Sequence, residues 1–211
     1  MGKRALILII SVLFLDQALK IWVKTSMEIG EEIPMLGNWF YLHFLENRGM
    51  AFGMELFGGA AIGKIILSIF RIIAVFFIGY YLKQIIDKKN HILYISAISL
   101  IFAGALGNII DSAIYDFIFS YSPYENRPHG FLLGSVVDML YFPLFDGYSP
   151  DWMPNRPTVQ PSWMPSLIWY NFPWANEYFL FFRPVFNIAD VAISTGVGII
   201  IVFQKRIFPK K

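Results

Sequence analysis

The run ILYISAISLIFAGALGNII, from Ile92 to Ile110, is followed at once by Asp111, and it decides how the chain is to be read. It carries no charge over a length close to the ~20 residues that an α-helix needs to cross the hydrocarbon core of a bilayer. Three further stretches of similar character lie on either side of it: Ala5 to Val23, Ile65 to Leu82 and Phe186 to Phe203. Composition agrees, because 56% apolar, 18% aromatic and only 15% charged residues make a chain too apolar for an ordinary water-soluble fold. The sequence predicts an all-α integral membrane protein, one membrane domain over residues 1–211, with four transmembrane helices at about 5–23, 65–82, 92–110 and 186–203. External segments at about 24–63 and 111–185 join them.

Lysine and arginine gather on the side of a membrane protein that stays in the cytoplasm. Here Lys3 and Arg4 precede the first helix, Lys83, Lys88 and Lys89 lie between the second and third, and Lys205, Arg206, Lys210 and Lys211 follow the fourth. Both termini are therefore expected in the cytoplasm. The first stretch is expected to stay as a span, since no small-x-small cleavage site follows Ala5 to Leu15. Most acids, among them Glu28, Glu46, Asp116, Glu125, Asp151 and Glu177, fall on the opposite face. The basic fringe meets anionic lipid and gives no reason to expect nucleic acid as a partner.

Several chemistries drop out early. With no cysteine, the chain has no thiolate nucleophile, disulfide or thiolate metal site. His43, His91 and His129 are far apart and lack HExxH spacing, so no metal centre is expected.

Within the first external segment, Asn38 to Leu45 is aromatic-rich and suits a strand, with Pro34 and Gly37 before it and Gly49, Gly53, Gly58 and Gly59 after it. A small external β-sheet on the membrane surface is the expectation. The second segment mixes ten prolines, from Pro123 to Pro184, with Trp152, Trp163, Trp169 and Trp174. No packed helix is expected there, and the stretch reads as an extended loop anchored at the lipid headgroups.

Ionisable residues inside a membrane segment are costly and mark function or a structural partner. Asp16 and Lys20, at i and i+4 on the first helix, read as a structural ion pair near its outer end. Arg71, within the second helix, is expected to face a protein partner or water, and the sequence does not name that partner. A more specific cluster gathers at one interface: Gly104 to Asp111 closing the third helix, Gly134-Ser-Val-Val-Asp138 in a loop, and Phe186-Asn187-Ile-Ala-Asp190 opening the fourth helix. Asp138 and Asp190 are expected at similar depth. Two carboxylates held close cannot both ionise easily, so one keeps its proton while the other acts as a base on water. That is the chemistry of an aspartyl endopeptidase.

In this order the motifs resemble those of the lipoprotein signal peptidase (signal peptidase II) family, across most of the chain. The resemblance rests on Asp16-Gln17 with Lys20, Glu46-Asn47-Arg48-Gly49-Met50-Ala51-Phe52-Gly53, Gly104 to Asp111, Val136-Val137-Asp138 and Phe186-Asn187-Ile188-Ala189-Asp190. It implies that Asp138 and Asp190 are the catalytic dyad and that Asn47, Arg48, Gly49, Gly104, Asn108, Asp111, Asn187 and Ala189 shape the site or hold substrate. It also implies a bacterial inner-membrane enzyme with its site at the outer, periplasmic face and no cofactor. Such enzymes cut diacylglyceryl-modified prolipoproteins before the lipidated cysteine, work among membrane lipids, and are inhibited by globomycin-like peptides.

The chain departs from the family in two places. Ser112 stands where the family usually has an arginine, with Arg48, Arg127 or Arg183 as replacements for that charge, and the stretch between Asp138 and Asp190 is longer than the family's. Other readings are a small transporter or proton conductor using Asp16, Lys20 and Asp190, a non-catalytic binding protein, and a Ser/Lys peptidase built on Ser112 or Ser135 with Lys24 or Lys64. None of them requires two aspartates at matched depth.

Overall fold

The computed structural model describes residues 1–48, 61–119, 130–181 and 184–208. Gly49, Gly53, Gly58, Gly59, Glu125, Arg127, His129 and Arg183 lie outside the described residues.

Among the described residues, three helices are long and apolar enough to cross a membrane: α1 (Gly2–Ser26), α2 (Ala61–Asp87) and α3 (Ile92–Ile118). Their outward faces are apolar, with Ile7 64%, Phe14 70% and Phe76 69% exposed, a surface that suits lipid and not water. The expected fourth helix is shorter. It runs from Ile188 to Val202 and is called α5 below. Phe186 does not belong to it, because that residue is in a strand and Asn187 caps the helix.

α3 continues to Ile118, well past the expected end at Ile110. The hydropathy falls there because Asp111, Ser112 and Tyr115 are polar, yet all three are buried, with Asp111 and Tyr115 bonded to α1. Partners in the bundle replace the lipid that a purely apolar span would meet.

The sheet forms as expected, and it is larger than the first external segment alone could make. β1 (Glu32–Leu36) and β2 (Phe40–Asn47) make a hairpin whose turn uses Gly37 at φ 51, a conformation that glycine adopts without a Cβ clash. β3 (Val136–Tyr141) and β6 (Val185–Phe186) complete the order β1-β2-β3-β6, all antiparallel. Asp138 is therefore on a strand and not on a loop, since Val136 and Val137 favour the extended chain and Val137 is fully buried against Val23, Phe44 and Met139.

The Pro/Trp-rich stretch is also more ordered than a loop. β4 (Phe145–Tyr148) pairs with β5 (Tyr178–Phe181), and the chain between them holds a short helix, α4 (Ser166–Asn171). The expectation of no helix fails because Pro165 sits at the N-cap, where a missing N–H costs nothing. Trp169 and Trp174 are buried edge to face at 5.2 Å, the Trp174 indole N–H donates to the Trp169 carbonyl, and Arg156 stacks over Trp169 while pairing with Glu177. Trp152 and Trp163 remain exposed.

Candidate active site

β3 and β6 bring the two aspartates of the expected dyad together. In their antiparallel register Leu140 faces Phe186, so Asp138, two residues earlier, comes level with the chain just after Phe186, where α5 begins. Asn187 is that joint. Its side-chain oxygen accepts the backbone N–H of Asp190, and the Asp190 carboxylate accepts the backbone N–H of Asn187, a reciprocal cap that fixes both side chains. Because the Asn187 oxygen is committed to the cap, its amide nitrogen is left to donate, and it does so to Asp138 Oδ1 at 2.8 Å.

A second asparagine is oriented in the same way. Asn108 Oδ1 accepts from the Lys20 ammonium at 2.9 Å, which turns its Nδ2 towards Asp190 Oδ1, also at 2.9 Å. Asn47, at the end of β2, donates to Asp138 Oδ2 at 3.1 Å. Neutral amides thus hold both carboxylates in place without adding charge.

Asp138 is buried at 5% exposure, whereas Asp190 is half-buried at the first turn of α5. Burial, and next the neighbouring Asp190 charge, push the Asp138 carboxyl up to about 7, against the hydrogen bonds of Asn47 and Asn187 and the charge of Lys20. Asp190 sits where the α5 dipole favours an anion.

Asp16, Lys20 and Asp111 form a separate and fully buried cluster. The ammonium donates to Asp16 Oδ2 at 2.9 Å, Asp111 Oδ2 at 2.8 Å and Asn108, which satisfies its three hydrogens. The expected pair is thus a triad that includes Asp111. The cluster supports the site from below: Asp16 Oδ1 accepts the Ala189 N–H on α5, and Asp111 Oδ2 accepts the Val137 N–H next to Asp138. Gln17 ties the two acids together and receives the Tyr115 hydroxyl.

The small residues of the motifs serve close packing of α3 on α5. A Cβ on Gly104 would strike the Ala189 carbonyl oxygen and come 2.8 Å from Ile193, and one on Gly107 would come 2.8 Å from Asp16 Oδ2. Ala189 itself is completely buried.

Sequence reasoning missed one contact and offered another only as one of several Ser/Lys pairings. Lys24 pairs with Glu46 and ties α1 to β2. Lys64, on α2, donates to Ser112 Oγ at 3.4 Å, so a lysine from another helix reaches the Ser112 side chain. A polar residue near one end of an otherwise apolar span was the available signal for Lys64. Among the described residues, no group of three or more histidines, aspartates or glutamates is arranged to hold a metal ion.

Comparison with known proteins extends these observations. The family model described as signal peptidase (SPase) II matches residues 8–205. The chain is 42% identical to the lipoprotein signal peptidase of Porphyromonas gingivalis, over 97% of this chain and 84% of that one. It is 39% identical to the lipoprotein signal peptidase of Amoebophilus asiaticus, over 91% of this chain and 73% of the other. Two solved structures described as a bacterial membrane enzyme share the fold, each with a TM-score of 0.57, at 22% and 23% identity, covering 99% and 96% of this chain and 94% and 92% of theirs.

Proposed function

The chain belongs to the signal peptidase II family, and from that premise we propose that it is an aspartyl endopeptidase using Asp138 and Asp190 on lipid-modified precursors. It is a multi-pass membrane protease that removes signal peptides from lipoprotein precursors. The finer reading has it cut diacylglyceryl-modified prolipoproteins just before the lipidated cysteine. One observation carries the aspartyl assignment: Asn187 binds both acids at once, through its side chain to Asp138 and its backbone N–H to Asp190.

Asp138, raised to about 7 chiefly by burial, is the member that holds the proton. Asp190, half-buried at a helix N-terminus, is the charged member and the general base. Asp190 takes a proton from water as the water oxygen bonds to the scissile carbonyl carbon, while Asp138 donates a hydrogen bond to the carbonyl oxygen. The carbon–nitrogen bond then breaks, and the departing amine takes a proton from the pair. Asn47, Asn108 and Asn187 keep both carboxyls in register. Gly104 and Ala189 set how closely α3 and α5 approach. Arg48, Gly49 and Asp111 complete the set that shapes the site, Asp111 by supporting β3.

In this reading the enzyme lies in the bacterial inner membrane with both termini in the cytoplasm. α5 and the short α6 (Gln204–Ile207) together supply the fourth span, about 30 Å of helix. The sheet and the β4–β5 hairpin stand at the periplasmic face, among lipids. Globomycin-like peptides occupy the same site. The test is cleavage of a diacylglyceryl-modified prolipoprotein in detergent by wild type, Asp138→Asn and Asp190→Asn. Cleavage before the lipidated cysteine by wild type alone supports the reading, and undiminished cleavage by either variant ends it.

The Lys64–Ser112 contact keeps a Ser/Lys peptidase as a second reading. Ser112→Ala decides it, because a Ser/Lys enzyme loses all cleavage while an aspartyl enzyme keeps most of it.

A further inference from the structure

One face of α2 carries Lys64, Ser68 and Arg71, at i, i+4 and i+7, while the remaining residues from Ile65 to Ile78 are all apolar. The hydrogen bonds of Lys64 and Ser68 show where this face points. Lys64 Nζ donates to Ser112 Oγ on α3 at 3.4 Å, and Ser68 Oγ donates to the Leu132 carbonyl, just before β3, at 2.9 Å. The polar face is thus turned towards the two elements that lead to the dyad.

The helices also set the depth of Arg71. α2 and α3 follow one another through a short turn and run antiparallel, so seven residues forward from Lys64 correspond to seven residues back from Ser112. Arg71 then lies level with Gly104 to Asn108, where Asn108 bonds Asp190 and Gly104 packs on Ala189. Of the negative charges that act on Arg71, Asp190 is the strongest, followed by Asp138 and then Asp111. An arginine inside an apolar helix is costly, and here two of those three charges are the dyad itself.

We propose that Arg71 is a positioning residue of the dyad: from α2, its guanidinium charge steadies the single negative charge shared by Asp138 and Asp190 and so sets the pH range over which the pair carries one proton. The proposal rests on the aspartyl reading above. Other charged groups stand in the same neighbourhood. These are Lys20, which acts on Asp138; Asp111, held by Lys20; Lys64, on the same face of α2; and Arg48 and Asp116, which act on Lys64.

The experiment compares kcat/KM against pH for wild type, Arg71→Gln and Arg71→Lys, with a diacylglyceryl-modified precursor peptide in detergent. Losing a nearby cation makes the pair hold protons more tightly, so both limbs of the Arg71→Gln profile move to higher pH by about one unit. Arg71→Lys keeps the charge, and its limbs stay within a few tenths of a unit of wild type. Unmoved limbs in Arg71→Gln, or an equal shift in Arg71→Lys, overturn the proposal. If Arg71→Gln does not fold, Arg71→His replaces it, and cleavage then gains a further titration near pH ~6.5 as the imidazole loses its charge. A His profile of unchanged shape overturns the proposal as well. Asp138→Asn and Asp190→Asn are assayed alongside: if they still cut, the aspartyl reading has failed, and if they are inactive while the Arg71 profiles are unmoved, only the role of Arg71 has.

Discussion

Asp16 and Asp111, on α1 and α3, bond the ammonium of Lys20, whereas Asp138 and Asp190, on β3 and α5, are held by the amides of Asn47, Asn108 and Asn187. The two pairs share a neighbourhood, and Asn108 touches both sides of it, with its oxygen on Lys20 and its nitrogen on Asp190. A carboxylate bonded to a buried ammonium, with its other oxygen on a neighbouring backbone N–H or side-chain amide, is tied into the packing and serves as a structural joint. A carboxylate held by neutral amides keeps its place without being committed to a charge, and that leaves it able to exchange a proton. On the proposed reading, the difference between a support and a reactive pair is made by the partner and not by the aspartate.

The largest effect expected from this contrast is on stability. Lys20→Met leaves two buried carboxylates without their cation, and breaking a buried ion pair in this way costs about 3–5 kcal/mol. Thermal unfolding in detergent should fall accordingly, and an unchanged midpoint would remove the structural role given to the triad. Asn108→Ala sharpens the comparison, because it cuts the joint between the two sides. Loss of the donor to Asp190 misplaces that carboxylate, and cleavage should fall on the order of 10²-fold, read as kcat/KM.

Gly104→Ala acts on the seam beneath both pairs. The added methyl meets the Ala189 carbonyl oxygen, a backbone atom that cannot swing aside, so α3 and α5 separate at a cost of about 1–3 kcal/mol. Unfolding temperature and cleavage should fall together, while a loss of cleavage alone would assign Gly104 to substrate contact.

The smallest effect is the pH response of the dyad. Asp138 is raised to about 7 in the folded protein and ionises at its ordinary carboxyl value when unfolded. Its contribution to stability is therefore complete below that ordinary value and is lost as pH rises through about 7. Cleavage declines over the same upper range, because the pair loses its one proton. A rate that keeps rising past pH ~8 would show that no shared proton is needed.

How far the sequence led can be judged from these same residues. The apolar runs located α1, α2 and α3, and the ordered motifs picked out Asp138, Asp190 and the asparagines, since in an apolar chain each polar residue stands out. The strand around Asp138 was not legible, because Val136 to Tyr141 gains its identity from pairing with β2, nearly a hundred residues earlier in the chain, and with β6. The same is true of α3 beyond Ile110, where a hydropathy window sees polar residues but not the α1 partners that satisfy them. Lys64 was weighed as a partner for a serine, and its contact with Ser112 depends on a helix register that no local pattern reports.

The most direct test treats the four aspartates as one experiment. Asp16→Asn, Asp111→Asn, Asp138→Asn and Asp190→Asn are purified in parallel, and each is read for unfolding temperature and for cleavage of the lipid-modified precursor. The account predicts that Asp138→Asn and Asp190→Asn keep their unfolding temperature and lose cleavage, while Asp16→Asn and Asp111→Asn unfold at lower temperature and lose cleavage only as far as they lose their fold. Cleavage at the wild-type rate by either Asp138→Asn or Asp190→Asn would contradict it.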